Sequence, residues 1–569
     1  MSFLVNSYIL SGSAAVPIIL FSSTQSENLI QVVFDQDMDK FNTTGWSFKK
    51  NGSNLAIQQV TGYGDTWLFR VSAMLNSDTI LLSYNSGTGN AQSTSSIALG
   101  SYADSAVTNT FTPQAPEFIM TIKTDVPGAV DPNKFVYPLY IDGSASANGV
   151  IDWGDGNTTN VPAIIFPLPN HTYASPGTYT VKFTGPNTGI NLASAFSNYG
   201  ADVKQVQTIE QWGSDTVWET WRRAFWKGNA ITINATDSPN LTAVTSLESA
   251  FQQINLSGTL KNIYAPLATN CSYMFYGATT GNPNLPYWFL PSCTTLEGAF
   301  ADSPFYEGDG LESWLITNAL TSLAETWSNC LLFNGITNYF DVSGVTTFYR
   351  TFYHCEVHNQ AIPKWVTSSA VNMRDTFAYN SLFDQEINHF IMDNVTTLYG
   401  FLYRCLVFNK PMNNLNIGNV TTIRSCWERC LLFNQDVSML DFSSVTNADY
   451  AFFECDNFNC GGGNLGLIDT SSFTTMEGMF YLNLALNQNL GTWNISNVTN
   501  STADFMNMGA GPWAMTPANL DALYNGWAVQ TRNAGVTIGF GLLNYTSAGA
   551  ASRATIAATP WTITDGGII

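Results

Sequence analysis

Val420-Thr421-Thr422-Ile423-Arg424-Ser425-Cys426-Trp427 and Val445-Thr446-Asn447-Ala448-Asp449-Tyr450-Ala451-Phe452 are two copies of one pattern. Six residues after each comes a Phe-Asn pair, Phe433-Asn434 and Phe458-Asn459; Phe333-Asn334 and Phe408-Asn409 hold the same place. Working outward, the large apolar residue that closes the pattern recurs as Phe225, Phe251, Phe275, Phe300, Trp327, Phe352, Phe377, Leu402, Trp427, Phe452, Phe480 and Phe505. The steps lie between 24 and 28 residues and most are 25. Self-similarity at a fixed period outranks other fold signals. A unit this short cannot bury its apolar face alone and must stack on its neighbours.

The same register organises the cysteines. All nine lie between Cys271 and Cys460. Three residues after the anchors Trp327, Phe352, Phe377, Leu402, Trp427, Phe452 and Phe480 stand Cys330, Cys355, Asn380, Cys405, Cys430, Cys455 and Asn483. A small polar side chain at one inward position can bond the backbone where the chain leaves its strand, and neighbouring units then form a ladder, so this column reads as a structural ladder of buried, unpaired thiols. Cys426 and Cys460 fall off it, as do the two earlier cysteines, Cys271 and Cys293.

The phrase VTxMxxMFxxCxxFNQ resembles the BspA-like leucine-rich repeat, over about 300 residues. That resemblance implies a leucine-rich-repeat solenoid, with a strand and a short turn or helix in each unit, over residues 187–510. The segment from Thr516-Pro517 onward, with helix-like runs at 518–531 and 548–558, resembles the closing module that follows such repeats. It implies a small α/β cap over 511–569, since an uncapped stack exposes core and strand edges.

Ahead of the repeats, residues 25–115 alternate apolar and polar positions between turn signals such as Asn51-Gly52, as expected of an immunoglobulin-like β-sandwich. This stretch resembles the SwmB-type repeat. Residues 116–186 carry Asp152-Trp153-Gly154-Asp155-Gly156 and His171-Thr172-Tyr173, which resemble a PKD-type sandwich. The two Asp side chains are expected to cap a glycine turn in preference to holding calcium. Residues 1–24 form an N-terminal arm, and MSFLVNSYIL resembles the start of tailed-phage structural proteins.

Composition narrows the function. Only 11% of residues are charged, and a formal charge of −21 repels phosphate backbones, so nucleic acid is not expected as a partner. No apolar run reaches the roughly 18–20 residues that cross a bilayer, so membrane insertion is not expected. The opening stretch has no Lys or Arg before its apolar residues, so no secretory signal is expected.

Chemistry-bearing motifs are scarce. There are four histidines, His171, His354, His358 and His389, and no nucleophile elbow, phosphate-binding loop or zinc helix motif. His354 and His358 would share a helix face, but His358 stands where a Phe recurs, so a packed turn is the reading and no metal is assigned. No catalytic or cofactor-binding residue is assigned. Tryptophans outside the anchor column, Trp288, Trp314, Trp365 and Trp493, are put forward as ligand-contact aromatics, with edge packing as the alternative.

These readings, together with the resemblances, lead to one expectation. The chain is a non-enzymatic virion attachment protein, a phage tail fibre, receptor-binding or capsid decoration protein. It sits on the virion surface, contacts other virion proteins through its N-terminal region and binds a host surface protein or polysaccharide. Homo-oligomerisation is left open. The alternative is a secreted bacterial surface adhesin, and a third class is a glycan-degrading tail enzyme.

Overall fold

A computed structural model describes residues 203–499 apart from 215 and 229, and also 505–506, 513–558 and 561–569. Before these it describes 19–109 and 116–191, with interruptions at 27–28, 35–37, 41–43, 64–65, 73, 75–76, 87, 90, 94–97, 100, 127–130, 138–140, 141–145, 148, 162–168 and 186. The chain divides into two compact units, Met1–Ala115 and Pro116–Ile569.

The first unit is built from two four-stranded antiparallel sheets. One runs Ile19–Ser26, Leu29–Phe34, Thr66–Val71, Ile57–Tyr63; the other runs Tyr102–Val107, Ile80–Tyr84, Trp46–Lys50, Ser53–Leu55. Alternate residues Ile30, Val32, Phe34, Phe48, Phe69 and Leu82 fill one core, with Trp46 packed 5.0 Å from Phe69 and 4.6 Å from Tyr84. Lys50 pairs with Ser53, which leaves Asn51 and Gly52 as a two-residue loop with φ of 51° and 83°. Left-handed geometry at both positions makes the mirror-image turn that matches strand twist. The first strand begins at Ile19, so the expected arm gives up its last residues to this unit; residues 1–18 lie outside the described residues.

The second unit opens on a seven-stranded sheet ordered Thr158–Val161, Gly149–Asp152, Thr178–Thr184, Phe118–Lys123, Val206–Gln211, Ile231–Ile233, Leu256–Gly258. The pairs are antiparallel as far as Val206–Gln211 and parallel beyond it. The sheet therefore crosses residue 186, the expected end of a separate sandwich, and one apolar core extends from Phe118 to Trp561.

From Trp221 onward the backbone around each anchor repeats one hydrogen-bonding scheme. On the coil of Trp327, the N–H groups of Leu323, Glu325, Trp327 and Asn329 donate forward to the carbonyls of Thr347, Tyr349, Thr351 and Tyr353 on the next coil. The alternating N–H groups of Thr326, Ser328 and Cys330 donate back to Leu323, Glu325 and Trp327 of their own coil. Every donor from 325 to 330 is thereby used, as a buried backbone requires. The alternation needs left-handed residues two before and two after the anchor. Glu325 and Asn329 have φ of 54° and 60°, Arg350 and His354 51° and 57°, Tyr450 and Glu454 56° and 51°.

This geometry overturns the expected leucine-rich-repeat solenoid with an α/β cap. A left-handed residue at either side of the anchor ends both strand and helix after a few residues. Most neighbouring coils meet through isolated parallel bridges, Thr347 to Asn372, Asn372 to Thr397, Thr397 to Thr422, and where strands pair, as at Ile231–Ile233 with Leu256–Gly258 and Phe289–Leu290 with Leu315–Ile316, they are two or three residues long. Among the described residues there are only two α-helices, both in the last tenth of the chain, and apart from four three-residue 3-10 turns the remaining regular structure is strand in several separate sheets. The molecule is β-rich and mixed, with a stack of turn-built coils.

The final segment folds onto the same core. Thr516 caps the helix Pro517–Ala528 by accepting from the Asn519 N–H, and the helix Ser547–Ala558 packs beside it, next to the parallel pair Thr537–Gly539 and Thr562–Thr564. The first helix sits so close to the last coil that a Cβ on Gly526 would lie 1.9 Å from the Gly491 carbonyl oxygen. Gly526→Ala, which favours an isolated helix by about 1 kcal/mol, is therefore expected to destabilise the protein by roughly 1–3 kcal/mol through overpacking. Urea unfolding checks this; an unchanged or raised midpoint would contradict the seating.

Candidate functional site

Each coil places anchors, thiols and tryptophans inward and a distinct set of side chains outward. The inward columns are continuous stacks. Trp327, Phe352 and Phe377 follow one another at 5.1 and 5.6 Å, nearly parallel, and Trp427, Phe452 and Phe480 at 4.8 and 5.7 Å; Leu402 lies buried between the two runs.

The thiol column bonds one coil to the one before it. Cys330 Sγ donates to the Phe300 carbonyl at 2.9 Å, Cys355 to Trp327 at 3.0 Å, Cys405 to Phe377 at 3.1 Å, Cys430 to Leu402 at 3.1 Å and Cys455 to Trp427 at 2.8 Å. In each case the acceptor is the anchor of the preceding coil. Asn380 takes a thiol's place and its Oδ1 accepts from the Cys355 N–H at 2.8 Å. The amide of Asn483, turned with nitrogen toward the backbone, donates to Phe458 and Cys455. Burial pushes the ladder thiols far up from their usual range, which removes the thiolate needed for oxidation or metal binding. Cys426 occupies the place where Thr326, Thr351 and Thr376 bond two carbonyls each; it is a buried substitute for a threonine. Cys460 begins a short 3-10 turn, Cys460–Gly462, with its Sγ 3.6 Å from Asp436 Oδ1.

The Asn of the Phe-Asn pair supplies a second ladder. Asn334 Oδ1 accepts from the Asn359 N–H, Asn359 from Asp384, Asp384 from Asn409, Asn409 from Asn434, and Asn434 from Asn459, each at 2.9–3.0 Å. The series ends with Asn487 Oδ1 accepting from Thr516 at 3.0 Å, which fixes the helix cap to the stack.

The tryptophans put forward as ligand contacts do not reach the surface. Trp288, Trp314, Trp365 and Trp493 are at most 1% exposed, and each indole N–H donates inward, to the carbonyls of Leu260, Leu285, Thr337 and Leu465. Their regular spacing from the anchors is a packing signal. His354 and His358 diverge: His354 meets Glu356 at 3.1 Å on the surface, while His358 is buried between aromatic rings. Among the described residues no group of three His, Cys, Asp or Glu converges as metal ligands. Asp152 and Asp155 accept from Gly154 and Asn157 N–H groups in the turn, and Asp155 also meets His171 at 2.7 Å.

The outward side carries a strip of tyrosine and arginine that the tryptophan-led reading missed. Tyr349, Arg350, Tyr353, Arg374, Tyr379, Tyr399, Tyr403, Arg404, Arg424 and Tyr450 all flank the anchors, two or three residues before or one or two after. Arg350 lies 4.7 Å from the Tyr353 ring centre, Arg374 4.4 Å from Tyr399 and Arg424 5.0 Å from Tyr450. Carboxylates interleave them: Arg350 and Arg374 both meet Asp375, at 3.4 and 3.3 Å, and Arg424 meets Asp449 at 2.8 Å. Burial, then a hydrogen bond with Tyr379, pushes Tyr403 up to about 12. Burial also raises Glu428 beside it. Once the left-handed offsets are known, this strip is readable in the sequence as the residues around each anchor.

The coils thus form a repeat stack bonded along its backbone, with an aromatic and cationic strip on one side. The chain belongs to the family described as "Mycoplasma protein of unknown function, DUF285", whose model matches residues 190–314, 321–437 and 408–511, more than half of its length. No curated protein and no solved structure matches it.

His358 gives the sharpest test of the inward packing. It replaces a Phe in the column of Phe333, Phe383 and Phe408, stacks on Phe352 at 4.2 Å, and neither ring nitrogen has a partner among the described residues. Burial pushes its pKa down to about 3. The unfolded chain, with an imidazole near 6.5, then binds the proton that the folded chain refuses, so stability falls as pH drops from about 6.5 toward 3, by roughly 1.4 kcal/mol per unit for this group. His358→Phe is expected to raise the unfolding midpoint and to flatten its pH dependence between 6 and 4. Chemical denaturation of both proteins across that range checks it; parallel curves would contradict the burial.

Proposed function

We propose that the chain is a non-enzymatic attachment protein, which uses the coil stack as a rigid mount and the tyrosine–arginine strip to bind a host surface protein or glycan. The observation that carries this reading is the concentration of Tyr and Arg on one side. The chain has only 21 Lys and Arg in 569 residues, yet Arg350, Arg374, Arg404, Arg424 and Arg429 fall within four successive coils on the same strip. Tyrosine and arginine dominate binding hot spots because they combine large contact area, few rotamers and several directional hydrogen bonds.

We place its site of action on a virion surface, in keeping with the resemblance of residues 1–10 to phage structural proteins. A second reading, a bacterial surface adhesin, is supported by the family's description as a Mycoplasma protein.

Binding of the fluorescently labelled chain to intact host cells tests the proposal. Replacing Tyr353, Tyr379 and Tyr403 together by Ser is expected to reduce cell binding at least tenfold while leaving the unfolding midpoint within a few degrees of the parent. Undiminished binding by that variant would contradict the assignment of the strip. Detection of the chain by mass spectrometry in purified particles, or instead in washed cell envelopes, separates the two locations.

A further inference from the structure

The strip has one break in its charge pairing. Arg350 and Arg374 share Asp375, Arg424 has Asp449, and Arg429 has Glu454 at 2.9 Å. Arg404 makes no ion pair among the described residues, and its Nε is buried without an acceptor. The cause lies in the repeat. Twenty-five residues on, where Arg350 finds Asp375 and Arg429 finds Glu454, Arg404 finds a second cation, Arg429. On the other flank of its own coil, Gly400 stands where the next coils back carry Asp375 and Arg350, so no side chain from that position covers it. Glu428 is the carboxyl that feels the Arg404 charge, at a distance beyond an ion pair.

Two tyrosines hold this cation. Its guanidinium lies 5.3 Å from the Tyr379 ring centre and 5.8 Å from that of Tyr403, and the two rings meet edge to face at 4.9 Å. Tyr353 continues the row on the preceding coil, 5.3 Å from Tyr379. A guanidinium braced by aromatic rings is fixed in orientation, and its planar fork is matched by a carboxylate that can accept two of its N–H groups.

We propose that Tyr379, Tyr403 and Arg404 form a site for a carboxylate-bearing sugar unit of a linear glycan that runs along the coil stack. This deepens the attachment reading and rests on it. The step from one coil to the next decides in favour of a glycan over a peptide. The rings of Tyr353, Tyr379 and Tyr403 follow one another at 5.3 and 4.9 Å, edge to face, close to the length by which one pyranose ring extends a linear chain, so successive sugars meet one tyrosine per coil. An extended peptide advances about 3.4 Å per residue, so it comes back into step only every third residue, on alternate coils, and has no matching residue at the intervening Tyr379. Tyrosine hydroxyls and ring edges suit the mixed polar and C–H surface of a sugar. The chain's charge of −21 disfavours a densely charged polymer, so the fitting glycan carries its acidic units spaced among neutral ones.

Calorimetric titration of the full chain provides the test. The probes are a panel of uronate- and sialate-bearing oligosaccharides, the same compounds with each carboxyl reduced to the alcohol, and a Gly-Glu repeat peptide. At least one acidic oligosaccharide is expected to bind, with the reduced form weaker by tenfold or more. Arg404→Asn, which tolerates the φ of 60° at this position, is expected to abolish the difference between acidic and reduced forms, and Arg404→Lys to restore part of it. Failure of every acidic probe at millimolar concentration, equal binding of acidic and reduced forms, or binding of the peptide alone would each overturn the glycan assignment. Cell binding by Arg404→Asn, compared with the triple tyrosine variant, keeps the two claims apart. If the tyrosine variant loses cells and Arg404→Asn does not, the attachment reading stands and this inference falls.

Discussion

The backbone N–H groups around each anchor residue must all be used, and they are used in two directions. Alternate donors turn back within the coil and the others reach forward to the next coil. This single constraint sets the rest of the structure. It requires left-handed residues two places either side of the anchor, limits strand pairing between coils to short stretches, and points the alternate donors around each anchor toward the C-terminal end, while donors ahead of them, such as Thr346 to Thr321, point back. The forward donors need an acceptor at the end of the stack, and the Phe480 N–H finds the Phe505 carbonyl, while Met506 donates to Gly539 beside the closing helices. The side-chain ladders reinforce the same axis from inside, through thiols on anchor carbonyls, and from the edge, through asparagines on backbone N–H groups.

Much of this was legible from the residues alone. The period, the anchors and the Cys/Asn column follow from counting, because side chains that stack coil on coil must repeat with the coil. The conformation inside a coil was not legible. A step near 25 with an Asn or Cys column is shared by any stack whose units bond their neighbours, so it led to the leucine-rich-repeat expectation. The turn signal was weak, since the left-handed positions are filled by Arg, Glu, Tyr, Asp and Asn and only now and then by glycine, as at Gly298, Gly400 and Gly478.

The tyrosine–arginine strip was missed for a related reason. Tryptophan count drew attention to Trp288, Trp314, Trp365 and Trp493, but an indole whose N–H has a carbonyl one coil back is well satisfied in a core. Tyrosine and arginine beside the anchors looked unremarkable until the turn geometry turned them outward. His358 was read correctly as standing in a phenylalanine column, but its lack of any polar partner is visible only in three dimensions.

The most direct measurement of the central claim compares two substitutions at Gln253, an exposed residue with φ of 59° two places after its anchor. In turn-built coils, Gln253→Gly is expected to raise the unfolding midpoint and Gln253→Val to lower stability by about 1–2 kcal/mol, the cost of a β-branched residue in left-handed geometry. The reverse order, with Val stabilising and Gly destabilising, is what a continuous strand would give and would contradict this account.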